Sequence, residues 1–281
     1  MLLDVRPRNR KPAFGSVEID WSHPLARQLT FYTVLNEGGG FPTNLVRIPA
    51  SATLAQGSWV PGPRGQTFQT ASANDRIRFA ASTKYSLATD GAFSVSWQFM
   101  RTGQAGSGAD GYVAGRTSFG SAGLWEVYDD NTNLNFGHNG ATGINLGAKP
   151  TNNVVHAVTV TRVPGGTYTC YIDGAQNGQT INANATGADG AQTLVIGAIG
   201  EDATNLNIYA KWDWVLIHKD RTLTRSEHQQ LVVEPYAFLK PKLATFFSWP
   251  YKTSGAAPPP TGIFRRTLSQ HGTRIGSRQA V

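Results

Sequence analysis

Residues 93–100 read Phe-Ser-Val-Ser-Trp-Gln-Phe-Met, with a large apolar residue at every second position. Successive side chains of a β-strand point to opposite faces, so this period of two predicts a strand with one apolar face. Similar short runs recur along the chain, separated by turn-forming Gly, Asp and Pro residues. They are Leu29–Leu35, Ile77–Phe79, Leu124–Tyr128, Leu134–Phe136, Val154–Val163, Thr167–Ile172, Thr193–Ile196 and Ile208–His218. The pattern predicts about ten to fourteen strands in residues 13–220, packed as one all-β sandwich.

Two local motifs have a defined geometry. Val158 and Val160 share one face of their run, the chain turns at 164–166 (Pro-Gly-Gly), and Cys170 lies on the returning run, which predicts an antiparallel hairpin. The sequence Thr-Arg-Ser-Glu at 224–227 is a capping box, which predicts a single short helix that ends near Val233.

Composition excludes several classes of protein. The 281 residues include 31 Gly, 15 Pro and one Cys, so no internal disulfide and no Cys-based zinc site is expected. Because Cys170 alternates with Tyr168 and Ile172, we expect a buried strand thiol. No apolar run has the length of a membrane span. No apolar signal segment follows Met1, so synthesis in a cytoplasm is expected.

The net charge of +7 is concentrated at the two ends of the sequence. Residues 1–12 carry four bases and one acid, whereas residues 235–281 carry seven Lys and Arg residues and no acid, so the stretch between them is mildly acidic. The Pro-rich stretch 256–260 predicts an extended spacer before the last residues. We interpret both ends as arms that dock a partner protein, through strand addition and Arg–carboxylate pairs. The predicted anchoring residues are Arg6, Arg8, Arg10, Lys11, Phe264, Arg265, Arg266, Arg274 and Arg278.

Four motifs, in order, resemble those of laminin G-like domains of the concanavalin A-like group. They are His23–Gly40 (HPLARQLTFY through NEGGG), 93–97 (FSVSW), 156–174 (HAVTVTR followed by YIDG) and 213–227 (DWVLIH followed by LTRSE). The resemblance covers about residues 20–235 and implies a two-sheet antiparallel jelly-roll sandwich. The expected organisation is a basic N-terminal arm (1–15), a laminin G-like domain (16–240) and a basic C-terminal arm (241–281).

The opening segment, with DWSHPLAR at 20–27, also resembles proteins encoded in tailed-bacteriophage genomes. This resemblance implies a non-enzymatic virion protein, either a capsid decoration or a tail-associated protein. Its expected location is the virion, its partners are major capsid or tail proteins, and a homo-oligomer is expected. Nucleic acid is not expected as a partner, because residues 261–281 interleave only Phe264 among their bases.

The concanavalin A-like group also includes glucanases, in which the resemblance implies catalytic carboxylates spaced as Glu-x-Asp-x-x-Glu. The nearest match is Glu18-Ile19-Asp20, with His23 where the second Glu should stand. Retaining chemistry needs an acid and a nucleophile close together, so no catalytic residue is assigned and a glycoside hydrolase ranks third among the functions.

Ligand motifs are few. The six His residues have no metal-ligand spacing, and no cofactor is expected; His156, which alternates with valines, is interpreted as filling a sheet face. Asp129 and Asp130, followed by Asn131, leave calcium open at a strand end. The glycine-rich stretch 106–111 matches G-x-G-x-x-G but is followed by a strand-like run, so we interpret it as a loop.

Tryptophans support an alternative function, a carbohydrate-binding module for host-surface glycans. The candidates for stacking on sugar rings are Trp59, Trp125, Trp212, Trp214 and Trp249. Aromatic residues that alternate along strands more often fill a core, and Trp212 and Trp214 are predicted to share one face.

Overall fold

The structure of the chain is a computed structural model. It describes residues 10–13, 15–46, 50–87, 91–104, 110–115, 124–138, 141–182, 190–199 and 207–242. All of them belong to one compact unit, Met1–Lys242. Within them, no helix is both long and apolar enough to cross a membrane.

The described residues form nineteen strands and one α-helix, which is more strands than the alternation alone predicted. The strands are β1 (Val17–Ile19), β2 (Leu29–Thr33), β3 (Thr43–Asn44), β4 (Ala50–Ser51), β5 (Leu54–Gln56), β6 (Ser58–Gly62), β7 (Gly65–Thr70), β8 (Arg76–Ser82), β9 (Phe93–Gln104), β10 (Asp110–Gly115), β11 (Trp125–Asp129), β12 (Asn133–His138), β13 (Ala141–Ala148), β14 (Val155–Val163), β15 (Thr167–Ile172), β16 (Ala175–Asn182), β17 (Gln192–Ile196), β18 (Ile208–Lys219) and β19 (Leu239–Pro241). The helix is α1 (Arg225–Val233).

Two large antiparallel sheets pack face to face. The seven-stranded sheet has the order β13-β12-β11-β10-β17-β8-β5. The eight-stranded sheet has the order β16-β15-β14-β9-β18-β7-β6, and β2 pairs with the second half of β18. The prediction of a two-sheet antiparallel sandwich with one short helix is therefore confirmed, and the arrangement is consistent with a jelly roll.

The core between the sheets is rich in aromatic rings. The rings of Phe99 and Trp212 stack with centroids 5.4 Å apart, and Phe93 stacks on Phe136 at the same distance. Tyr112 of the opposite sheet meets Phe99 edge to face at 5.3 Å. Replacing such a ring by Ala typically costs about 3–5 kcal/mol, so this cluster dominates the stability of the sandwich.

A second apolar cluster covers part of the outer face of the eight-stranded sheet. Val17 of β1, Leu231 of α1 and Phe238, which lies just before β19, belong to this cluster together with Tyr32 and Trp214. The polar residues of β9 are buried on this side as well. For example, the Ser96 and Thr159 hydroxyls lie 2.7 Å apart and bond to each other. The face of β9 that carries its polar residues is therefore covered.

The prediction that Trp212 and Trp214 share a face is wrong. Trp212 lies opposite Phe99 in β9, whereas Trp214 lies opposite the next residue, Gln98, so the register shifts at Asp213. A β-bulge of this kind adds one residue and reverses the alternation beyond it. Trp212 consequently lies in the core between the sheets, and Trp214 lies in the outer cluster.

Both local motifs have the predicted structure. In the hairpin, Val158 lies opposite Ile172 and Val160 lies opposite Cys170. At the start of α1, Thr224 Oγ1 accepts the Glu227 amide hydrogen, and the Glu227 carboxylate accepts the Thr224 amide hydrogen at 2.9 Å.

Candidate functional site

Glu18 and Asp20, the nearest match to a catalytic pair, have separate structural partners. The exposed Glu18 carboxylate pairs with Lys240 of β19 at 3.4 Å. Asp20 accepts the Ser22 hydroxyl hydrogen at 2.7 Å, and this bond lowers the pKa of Asp20. His23 accepts the Leu25 amide hydrogen at 3.2 Å. Glu18 thus lies in β1, and Asp20 and His23 lie in the segment that follows it.

The two carboxylates of the Asp129–Asp130 turn have partners within the protein. Asp129 is fully buried, with Arg101 Nη1 at 2.9 Å from its carboxylate and the Tyr112 hydroxyl donating to it at 2.9 Å. Asp130 is exposed and accepts the Asn133 amide hydrogen, which lowers its pKa. The Arg101 guanidinium neutralises the Asp129 carboxylate, and calcium at Asp129 and Asp130 stays a prediction from the sequence. No metal-ligand cluster occurs elsewhere in the described ranges.

The remaining motifs are structural where the structure describes them. Cys170 is fully buried, as predicted, and burial raises its pKa to about 12. His156 is buried and lies 2.6 Å from the Asp173 carboxylate and 2.9 Å from the Thr151 hydroxyl. In the glycine-rich stretch, residues 106–109 lie outside the described part, and strand β10 follows, not a helix.

Most predicted anchoring residues lie outside the described part of the chain. They are Arg6, Arg8, Phe264, Arg265, Arg266, Arg274 and Arg278. Arg10 is exposed, so its role as an anchor stays a prediction.

Lys11 is not available to anchor a partner, so its assignment is corrected. Its side chain is only 2% exposed, and Nζ lies 2.8 Å from an oxygen of Asp213 and donates to the Leu35 carbonyl at 3.0 Å. Asp213 follows Trp212, whose ring lies in the core, so its carboxylate faces the outer side of β18, where it reaches Lys11 and also accepts the Tyr236 hydroxyl hydrogen at 3.3 Å. Burial lowers the pKa of Lys11, and the Asp213 charge opposes this shift. The ion pair therefore attaches the N-terminal segment to the domain.

The structure separates the candidate tryptophans. Trp125, Trp212 and Trp214 are fully buried and cannot stack on a ligand. Trp249 lies outside the described residues. Trp59 of β6 is partly exposed at the edge of the eight-stranded sheet, where its ring meets Phe68 edge to face at 5.2 Å.

An exposed aromatic residue that the sequence reasoning missed directly follows Gly40, the residue to which Trp59 donates. Phe41 is 52% exposed, and the Trp59 indole N–H donates to the carbonyl of the preceding residue, Gly40, at 3.2 Å. We call Phe41, Trp59 and the loop 38–40 the aromatic edge. The signal that could have found it is a large aromatic residue directly after three glycines, where a core position is not expected.

The loop of the aromatic edge has a defined conformation. Gly38 and Gly40 both have φ +68°, a left-handed conformation that favours glycine. The partly buried Glu37 carboxylate accepts the Thr43 amide hydrogen at 2.8 Å and so ties the two ends of the loop together. Burial raises the pKa of Glu37. The exposed Gln66 lies beside Gly38, which places an amide group next to the loop.

A second feature lies on the outer face of the eight-stranded sheet, next to the Lys11–Asp213 pair. It is a shallow cleft with room for about one water molecule. We call it the cationic cleft. Its lining residues are Pro63, Arg64, Thr67, Phe99, Met100, Val155, Lys211 and Asp213. Met100, Val155 and Lys211 come from adjacent strands and lie in register, so the sheet fixes their positions.

No protein-family profile and no curated protein matches this sequence. Solved structures do resemble the fold. The binding domain of Paraclostridial Mosquitocidal Protein 1 has a TM-score of 0.58 at 17% identity, over 73% of this chain and 52% of that one. A Trypanosoma rangeli sialidase has a TM-score of 0.55 at 16% identity, over 75% and 33%. Botulinum neurotoxin type C has a TM-score of 0.54 at 15% identity, over 73% and 50%.

At these identities the likeness concerns the fold alone. The neighbours are consistent with the concanavalin A-like jelly roll that the sequence motifs predicted. This chain spans about half the length of the two toxin chains and about a third of the sialidase. None of the three is a phage protein, so phage origin and location in a virion stay predictions from the sequence.

Proposed function

We propose that this domain binds carbohydrate and that the aromatic edge is its binding site. The observation that carries the proposal is the pair of Phe41, half exposed, and Trp59, held in place by its bond to Gly40. Aromatic rings that are exposed and fixed lose little freedom on binding and offer flat apolar faces. The C–H faces of sugar rings are their natural partners.

Polar groups around the rings complete the site. The loop 38–40 has no side chains, so its peptide groups can approach a ligand closely. The amide of Gln66 stands beside it and can both donate to and accept from hydroxyl groups. An apolar platform with a few polar groups around it is the usual composition of a small-ligand site.

The structural neighbours support the same class of ligand. The Trypanosoma rangeli sialidase is described in complex with sialic acid, and botulinum neurotoxin type C is described as interacting with two ganglioside molecules. Two further sequence expectations fit a binding domain: the predicted carbohydrate-binding module, and the incomplete catalytic motif at Glu18-Ile19-Asp20.

A glycan array probed with the full chain tests the proposal. The variant Phe41→Ala should lose about 1 kcal/mol of binding, a five- to tenfold drop in affinity, because it removes one stacking ring. Trp59→Phe keeps a ring but loses the bond to Gly40, so its affinity should lie between that of the wild type and that of Phe41→Ala. Trp21→Ala is the matched control, since Trp21 is 54% exposed on another loop. Silence across the array, or equal binding by Phe41→Ala, would refute the proposal.

Binding without catalysis is part of the proposal. Assays of glycoside hydrolysis on the glycans that the array identifies should give no turnover. Turnover that Glu18→Gln abolishes would instead assign a hydrolase.

A second candidate, the arm-anchored virion protein, rests on the charge distribution of the sequence. Residues 235–281 carry seven bases and no acid, which suits attachment to an acidic partner surface. Deleting 255–281 should leave a folded domain that no longer joins a particle, and full incorporation would contradict the idea. The two functions are compatible within one protein.

A further inference from the structure

Lys11 and Asp213 meet in surroundings from which water is excluded. Their side chains are only 2% and 7% exposed, and Nζ of Lys11 lies 2.8 Å from Oδ1 of Asp213. The carboxyl carbon is bonded to that oxygen, so the nitrogen lies within about 4 Å of the carbon, near the separation at which oriented groups react. Effective molarities for such pairs reach about 10⁵–10⁸ M, so the two groups are placed to react with each other.

Two backbone carbonyls orient the Lys11 nitrogen. Nζ donates to the Leu35 carbonyl at 3.0 Å and to the Gln66 carbonyl at 2.5 Å. An ammonium group has three hydrogens, and the third is the one that Asp213 attracts. When this hydrogen passes to Asp213, the lone pair that it leaves on the nitrogen points at the carboxyl group.

The surroundings favour the neutral forms of both groups. Burial is the main cause that lowers the pKa of Lys11, and the positive charge of Arg64 acts in the same direction, whereas Asp213 opposes the shift. Two buried charges are costly, and proton transfer from Lys11 to Asp213 removes both. It leaves a desolvated amine, which is a strong nucleophile, beside an uncharged carboxyl group.

The carboxyl group of Asp213 also has what a leaving oxygen needs. The Tyr236 hydroxyl donates to Oδ2 at 3.3 Å, so it can stabilise negative charge that develops there during attack at the carbon. Asp213 is one of the residues that line the cationic cleft, which has room for about one water molecule. A water molecule released from the carboxyl group therefore has space beside it.

We propose that Lys11 and Asp213 become joined covalently, by an isopeptide bond between Nζ and the side-chain carboxyl carbon Cγ. The bond from Nζ to Cγ forms, and the bond from Cγ to one of its oxygens breaks. One ammonium hydrogen passes to the carboxylate and a second follows to the departing hydroxyl. The products are a secondary amide and one water molecule, so the reaction needs no oxidant and no added group.

The bond would change the role of the N-terminal segment. It replaces a buried ion pair by an uncharged amide, and it closes a covalent loop from residue 11 to residue 213, in β18. Cross-links that close long loops restrict the unfolded chain and so stabilise the folded one. The basic segment that precedes Lys11 would then be attached to the sandwich permanently.

Mass spectrometry of the unfolded full chain measures the bond directly. The main species of the wild type should be lighter than its sequence by the mass of one water molecule. A tryptic digest should contain a branched peptide in which 11–27 is joined to 212–219. The exposed pair of Lys240 and Glu18 offers the same chemical groups at 3.4 Å in contact with water, and a bond there would join 11–27 to 226–242 instead.

Two conservative variants separate the proposed bond from other losses of water. Lys11→Arg keeps a cation that can pair with Asp213, but its guanidinium is a poor nucleophile because it stays protonated, so this variant should have the full mass of its sequence. Lys240→Arg is the matched control at the exposed pair, and it should lose water as the wild type does.

Two results would overturn the proposal. One is a wild type with the full mass of its sequence, whose digest contains 11–27 and 212–219 only as separate peptides. The other is a loss of water that Lys11→Arg retains, which would come from a different dehydration, such as succinimide formation at Asp173-Gly174. The wild-type digest gives the answer even where Lys11→Arg does not fold.

Discussion

Lowering the pH from 7 to 5 should destabilise the domain by several kcal/mol, because three buried imidazoles must stay neutral in the folded state. His138 lies between the Tyr168 hydroxyl and the Leu87 carbonyl, and His218 donates to the Leu25 carbonyl at 2.7 Å. His228 accepts the Gly174 amide hydrogen at 3.0 Å. Burial is the main cause that lowers the pKa of each from 6.5 to about 4.

The size of the effect follows from linkage. Between pH 6.5 and 4 the unfolded chain binds protons that the folded domain does not, so stability is complete above pH 6.5 and falls as the pH drops. Each imidazole costs about 1.4 kcal/mol per pH unit, which is about 2 kcal/mol at pH 5 and about 3.4 kcal/mol below pH 4. The three together cost about 6 kcal/mol at pH 5, comparable with the whole stability of many domains.

Carboxylates affect the stability mostly in another pH range. The pKa of Glu227 and that of Asp173 are lowered, so their contributions are lost only below about pH 4.5. The raised pKa of Glu37 works in the opposite direction and offsets a part of the loss near pH 5. The window between pH 6.5 and 5 therefore reports mainly on the imidazoles.

Urea unfolding followed by tryptophan fluorescence at pH 7, 6 and 5 measures the free energy of unfolding. The wild type should lose about 4 kcal/mol per pH unit near pH 5.5, and His218→Gln, whose amide can still donate to Leu25, should lose about 1.4 kcal/mol per unit less. A stability that is level between pH 7 and 5, or a His218→Gln slope equal to that of the wild type, would refute the reasoning.

Three further predictions concern single side chains. Lys11→Met should lower the free energy of unfolding by about 3–5 kcal/mol, because it leaves the Asp213 carboxylate buried without its cation, and Asp213→Asn in the same chain should restore part of the loss in urea titrations. Cys170 should resist a thiol reagent at pH 8 in the folded domain and react once urea unfolds it, since its pKa is raised to about 12; fast labelling without urea would contradict its burial. Gly40→Ala should cost about 1–2 kcal/mol because of its positive φ, whereas Gly39→Ala, measured in parallel by thermal unfolding, should be nearly neutral.

Local signals in the sequence were sufficient for the framework of the fold. The hairpin of β14 and β15 depends on residues near in sequence, with alternation on either side of one glycine turn. The capping box at Thr224 likewise involves residues only three positions apart. Such features need no knowledge of distant partners, which is why they were predicted at the correct positions.

The bulge at Asp213 could not be read from the sequence. The order Trp-Asp-Trp at 212–214 looks like regular alternation, and only pairing with β9 shows that one residue has no partner. The prediction that Lys11 anchors a partner was wrong for a related reason. Its role depends on an ion pair with a residue about two hundred positions away, and a basic residue among other basic residues is indistinguishable from a solvated arm.

The candidate sites were predicted only in part. Trp59 was among the candidate tryptophans, but Trp125, Trp212 and Trp214 are buried. The sequence does not distinguish them from Trp59, because burial depends on how the sheets pack. Phe41 was missed, since a residue in a glycine loop has no periodic pattern to indicate its environment. The cationic cleft joins residues from the β6–β7 turn, β9, β14 and β18, and no contiguous motif links them.

The pairing of β1 with β19 determines how the domain would respond to mechanical load. Val17 lies opposite Pro241, and Lys242 donates its amide hydrogen to the Ser16 carbonyl at 2.9 Å, so Ser16 and Lys242 face each other at one end of this two-stranded ribbon. A pulling force applied between Ser16 and Lys242 would act along the interstrand hydrogen bonds of β1 and β19 and break them one after another. Hydrogen bonds that break one at a time separate at low force, so the β1–β19 pair would open before the sandwich bore the load.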